Sequence, residues 1–115
     1  FKNFRMLSFM KYHAHVYFEL EQLERIESLY VQLQQEFAET VSYGRIHQKI
    51  VGPHTKPMFQ LAFDELILPQ IKNSLSSNGL GLSVLIHPLM EDEYLAHTKL
   101  VAWLGEPLLL NLQNL

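Results

Sequence analysis

The sequence predicts an α+β domain, a four-stranded antiparallel sheet with helices on one face, in the ferredoxin-like order β-α-β-β-α-β with a helix and a short strand appended at the C-terminal end. Three observations predict it. Alternating stretches rich in strand-forming residues recur near 12–18, 43–52, 58–64 and 82–88. Helical stripes separate the first two stretches and the last two. The middle two are joined only by "GPHTKP" (52–57), whose Gly and two prolines make it a loop.

The first strand, Tyr12–Phe18, turns Ala14, Val16 and Phe18 to one side and His13, His15 and Tyr17 to the other. "ELEQLERIESLYVQLQQEFAET" follows, with Leu20, Leu23, Ile26, Leu29, Tyr30, Leu33 and Phe37 in steps of three and four, so it reads as an amphipathic helix. "YGRIHQKIVG" (43–52) reads as a second strand, with Ile46 and Ile50 on one face and Arg45, His47 and Lys49 on the other. In "MFQLAFD" (58–64) Phe59, Leu61 and Phe63 alternate with Met58, Gln60, Ala62 and Asp64. "DELILPQIKNSLSS" reads as a helix in which Pro69 sits in the first turn or marks the start. "NGLG" is a turn, and "LSVLIHP" is a strand ended by Pro88. "EDEYLAHTKLVAWLG" (91–105) reads as an amphipathic helix with Trp103 on its apolar stripe and Gly105 as C-cap, the acidic "EDE" suiting its N-terminal dipole. "PLLLNL" (107–112) is a short strand or an apolar tail.

At 115 residues the chain has room for one core, so residues 1–115 are read as one domain. A net charge of −3 without a basic aromatic strand face argues against nucleic acid as a partner. The absence of cysteine excludes disulfides and thiolate metal sites and suits a reducing, cytoplasmic setting. No apolar run reaches the ~18 residues of a membrane span. The first residues, "FKNFRMLSFMKY", are too polar for a secretory signal, and a start at Phe rather than Met suggests a trimmed chain.

The chain holds six histidines, His13, His15, His47, His54, His87 and His97. In the expected topology the first and last strands are antiparallel neighbours, so His13 and His87 meet at one end on the face away from the helices. His15 shares that face, because i and i+2 do so on a strand. An H-x-H pair plus a third imidazole from the next strand is a chelating set with positions left open for substrate. His13, His15 and His87 form the expected metal set, with His54 as substitute if the site lies at the other end of the first strand. His47 is expected at the His13 end, two strands over. No carboxylate is obvious on this face, which favours an all-histidine site or one completed by another group.

"YHAHVYFE", "GRIHQKIVGPHTKPMFQLAF", "GLSVLIHP" and "AHTKLVAWLG" together resemble the DOPA 4,5-dioxygenase family, the small ferredoxin-like type. The likeness runs from about Tyr12 to Leu110, and "VGPH…PMFQ…F" is its most specific part. It implies extradiol cleavage of a catechol such as DOPA with O₂ and non-haem Fe(II), a site that would also accept another divalent metal such as Zn. Within that chemistry His47 and His97 are acid–base candidates. Arg45 is a candidate for a substrate carboxylate, and Tyr17 and Gln60 are candidates for lining the pocket. A homodimer is the expected assembly. The alternative is a non-catalytic metal- or ligand-binding dimeric module.

Overall fold

A computed structural model describes residues 10–115, so the N-terminal stretch read above for signals and trimming lies almost wholly outside the described residues. The chain forms β1 (Lys11–Tyr17), α1 (Leu23–Phe37), β2 (Ser42–Tyr43), β3 (Met58–Asp64), α2 (Leu68–Ser76), β4 (Val84–Pro88), α3 (Glu93–Thr98) and β5 (Ala102–Leu104). The strands join in one antiparallel sheet of order β2-β3-β1-β4-β5. The first four strands take the expected ferredoxin-like order, with β1 at the centre. No helix of the described residues is long and apolar enough to cross a membrane.

The core follows from the alternation. Ala14, Val16 and Phe18 pack with Phe59, Leu61 and Phe63 against Ile26, Leu29, Leu33 and Phe37 of α1 and Ile71 and Leu75 of α2. Leu20 alone of the α1 stripe points to solvent, because it lies in a 3₁₀ turn, Leu20–Gln22, ahead of the helix. Pro69 sits in the first turn of α2, where its missing N–H costs nothing, and the Asp64 side chain caps the preceding turn by accepting from Leu66 N at 2.9 Å.

Two predicted elements change. The expected second strand over 43–52 shrinks to β2. Ser42 pairs with Ala62 and Tyr43 with Leu61, but the next paired residue, His47, faces Met58. Arg45 and Ile46 therefore oppose Phe59 together, which is a β-bulge. The ladder starts at Ser42, opposite the residue that pairs with His13, so His47 lies late in it. It falls at the Tyr17 end of β1, not at the His13 end as expected.

The expected helix over 91–105 breaks after Thr98. Asp92 caps α3 by accepting from Leu95 N at 2.9 Å, and the remaining "AWL" pairs with the free edge of β4. β-branched and aromatic residues beside an open strand edge outweigh a short helical stripe whose Tyr94 and Leu100 stay exposed. Trp103 is thus a strand residue, and Gly105 ends a strand rather than capping a helix. Gly105 has φ +69°, and an added Cβ would lie 2.4 Å from Leu82 O.

The sheet face away from the helices is not open along its length. At one end Tyr17, Met58 and Leu85 form a second apolar cluster under Val51, Val101, Trp103, Leu108 and Leu110. Residues 107–112 are not a strand. They form an apolar tail tied to the 52–55 loop by Asn111 N to Pro53 O at 2.6 Å and Thr55 Oγ1 to Leu109 O at 2.8 Å. The other end of this face carries the histidines.

Candidate metal centre

The pleat of β1 puts His13 and His15 on this face two residues apart. Antiparallel pairing sets His87 of β4 directly across from His13, and Gln60 of β3 across from His15. His54 arrives from the loop before β3, where a turn closed by His54 N to Val51 O at 3.1 Å lays its ring 4.2 Å from that of His15. His97 comes from the last turn of α3, with its ring 4.1 Å from that of His87. One ligand nitrogen from each of His13, His15 and His87 can lie within 4.8 Å of the other two. The expected metal set therefore converges, and His54 and His97 flank it.

Burial favours the neutral form of His13, His15, His54 and His87. It lowers the pKa of His13, holds His15 well below the usual 6.5 with help from the surrounding histidines, and brings His54 and His87 down to about 4. His15 and His87 are each only 4% exposed. His87 donates Nδ1–H to Pro88 O at 3.0 Å, so its Nε2 carries a lone pair. That lone pair faces His15 Nε2 at 2.9 Å, while His15 Nδ1 is buried with no partner among the described residues. A buried imidazole with one orphaned nitrogen is poorly satisfied by protein groups alone. Neutral imidazoles are the form a metal requires, and nitrogen donors suit Fe, Zn, Cu or Ni. Two nitrogens held at right angles on one ion at about 2.1 Å would be roughly 3 Å apart. The donor set therefore fits a divalent transition metal.

A cavity of about 240 Å³ opens onto the cluster and is lined by His13, His15, His54, His87, His97, Gln60 and Glu93, among others. Larger cavities of about 540 Å³ exist elsewhere, but no histidine lines them. Gln60 is among the residues lining this cavity. Tyr17 does not; it is 1% exposed, and its hydroxyl lies 2.6 Å from His54 Nδ1. Arg45 is exposed at the bulge and does not line the cavity, and neither does His47, which lies beyond His54. Sequence reasoning missed Glu93, taken there as part of a helix terminus. The i, i+4 spacing of Glu93 and His97 on a helix was the available signal, since it puts both on one face. Glu93 O accepts from His97 Nδ1 at 2.8 Å.

The model of the Dopa 4,5-dioxygenase family matches residues 12–114. A DOPA 4,5-dioxygenase of Amanita muscaria is 28% identical, aligned over 91% of this chain and 49% of its own length. The chain thus spans about half the length of that curated relative. A crystal structure from Nostoc punctiforme, provisionally described as a dioxygenase, superposes with a TM-score of 0.76 at 31% identity, over 91% of this chain and 90% of the other. With a match across almost all of its length, this chain belongs to the Dopa 4,5-dioxygenase family.

Proposed function

We propose that the chain is an extradiol dioxygenase that opens the ring of a catechol such as DOPA, with His13, His15 and His87 holding a non-haem ferrous ion. The observation that carries this reading is the convergence of three neutral imidazoles, two of them with Nε2 atoms 2.9 Å apart, at the floor of a cavity. When bound, a ferrous ion supplies the redox chemistry that joins O₂ to an electron-rich ring. Both oxygen atoms end in the ring-opened product, so no external reductant is required.

The chain's own groups supply positioning and proton handling. His97 presents Nε2 to the cavity, because its Nδ1–H is tied to Glu93 O, and can take a catechol proton. Gln60 offers an amide to a ring hydroxyl. Glu93 is the one acidic side chain among the described lining residues, so it favours a substrate whose tail carries an ammonium group. The cavity falls below the roughly 300–1,000 Å³ of sites for drug-sized ligands, which suits a single-ring molecule.

The test is to load the protein with Fe(II) without oxygen, add DOPA in air, and follow oxygen uptake and a yellow ring-opened product. One O₂ consumed per DOPA supports the reading. Metal uptake with no turnover of several catechols replaces it with a metal-binding module. Absence of metal uptake removes the basis for either.

A further inference from the structure

We infer that Tyr17 and two backbone carbonyls sort the histidines by which ring nitrogen carries the proton, making His54 a neutral N–H donor to a negatively charged substrate oxygen and Tyr17 its positioning residue. What that donor acts on rests on the function proposed above. The sorting itself follows from hydrogen-bond accounting.

The Tyr17 hydroxyl is buried, and His54 Nδ1, at 2.6 Å, is its one hydrogen-bond partner among the described residues. A buried O–H must place its hydrogen on an acceptor. If Nδ1 were the donor, the phenol hydrogen would have nowhere to go. Tyr17 therefore donates, Nδ1 accepts, and the neutral His54 ring carries its proton on Nε2. Nε2 has no hydrogen-bond partner among the described residues, and the ring lines the cavity. Tyr17 is held in place by stacking on Trp103 at 6.0 Å and 26° and by packing on Met58 and Leu85.

His87 and His97 are set the opposite way. Each donates Nδ1–H to a carbonyl, to Pro88 O at 3.0 Å and to Glu93 O at 2.8 Å, and so turns an Nε2 lone pair inward. Backbone carbonyls accept only, so they fix a proton on Nδ1 of each of these two rings, and the tyrosine fixes the other tautomer in His54. A neutral imidazole N–H aimed into a partly dry cavity stabilises negative charge as it develops on an oxygen, without having to give up its proton. It cannot also be a metal ligand through the same nitrogen. His54, expected from sequence as a substitute ligand, is thereby separated from the metal set.

The experiment is a long-range ¹H–¹⁵N correlation spectrum of uniformly ¹⁵N-labelled protein, metal-free and loaded with Zn(II). The expected result is a protonated Nε2 and a lone-pair Nδ1 for His54 in both forms, with the reverse pattern for His97 in both and for His87 in the metal-free form. In Tyr17→Phe, His54 loses this bias and becomes a mixture of tautomers. A wild-type His54 protonated at Nδ1, or a His54 Nε2 resonance shifted by zinc as a ligand would be, overturns the inference. Should Tyr17→Phe fail to fold, the wild-type spectra decide alone. Because no substrate is used, the expected tautomers without catechol turnover would sink the proposed reaction and leave the sorting intact. Turnover with His54 protonated at Nδ1 would do the converse.

Discussion

Replacing His15 with phenylalanine separates metal binding from folding. A flat aromatic ring, larger by one ring atom, is kept while both nitrogens go. In the metal-free protein His15 has one buried nitrogen with no partner among the described residues and one bonded to His87 Nε2 at 2.9 Å. Removing the orphaned nitrogen recovers about 1–3 kcal/mol of desolvation cost. Losing the His87 bond costs about 0.5–1.5 kcal/mol, and leaving His87 Nε2 unpartnered costs about 1–3 kcal/mol more. These terms nearly cancel, so metal-free His15→Phe should unfold within about 1–2 kcal/mol of the metal-free wild type. The response to metal should differ sharply. A ligand at a hundred times its Kd adds about 2.7 kcal/mol to the native state. For a domain of this size that is a rise in Tm of roughly 10–15 °C. Thermal melts in EDTA and in excess Zn(II) give all four values. Wild type should gain that shift and His15→Phe should lose it. A metal-free variant destabilised by more than about 4 kcal/mol would make His15 a structural residue, and a variant that keeps the zinc shift would remove it from the ligand set.

Other outcomes follow from the same packing and electrostatics. Leu61→Ala, at a fully buried core position on the helix-covered face, should lower stability by about 2–5 kcal/mol in denaturant melts while zinc stoichiometry stays at the wild-type value. Gly105→Ala forces a Cβ to 2.4 Å from Leu82 O at φ +69° and should lower Tm by several degrees, with the cost read as at least about 1 kcal/mol. Acid should destabilise the metal-free protein. His54 and His87 have folded pKa values near 4 against the usual 6.5, so between those pH values the unfolded chain binds more protons and stability falls as pH falls. A urea midpoint that is flat from pH 6.5 to 4 would contradict the neutral burial of these rings. Zinc affinity should fall over the same acid range, because only deprotonated imidazole binds metal.

Much of the sheet was legible in the sequence because strand alternation has a strict period of two. The pattern of "YHAHVYF" assigned both faces of β1, and the ferredoxin-like order then put His13 across from His87 without any knowledge of side-chain packing. Periodicity failed where tertiary context decides. The bulge at Arg45 and Ile46 adds one residue to a ladder, and an alternating sequence gives no sign of it. The register from Ser42 already turns Arg45 off the histidine face, the extra residue sets Ile46 against the core and His47 beside Met58, and the true start of the ladder at Ser42 carries His47 to the far end. In "HTKLVAWLG" a helical spacing competes with an open β4 edge, and the edge is invisible until the sheet exists. Loop geometry is the third limit. Nothing in "VGPHTKP" says that its turn folds His54 back over His15, or that the phenol of Tyr17, read as pocket-facing, is buried behind it.

The most direct measurement is a crystal of the protein grown with Zn(II) or, without oxygen, Fe(II), with anomalous data collected at the metal edge. One strong peak bonded to His13, His15 and His87 at about 2.0–2.2 Å is the expected result. A crystal grown with excess metal in which those rings touch only one another, or in which the ion sits on other groups, would contradict the proposed centre.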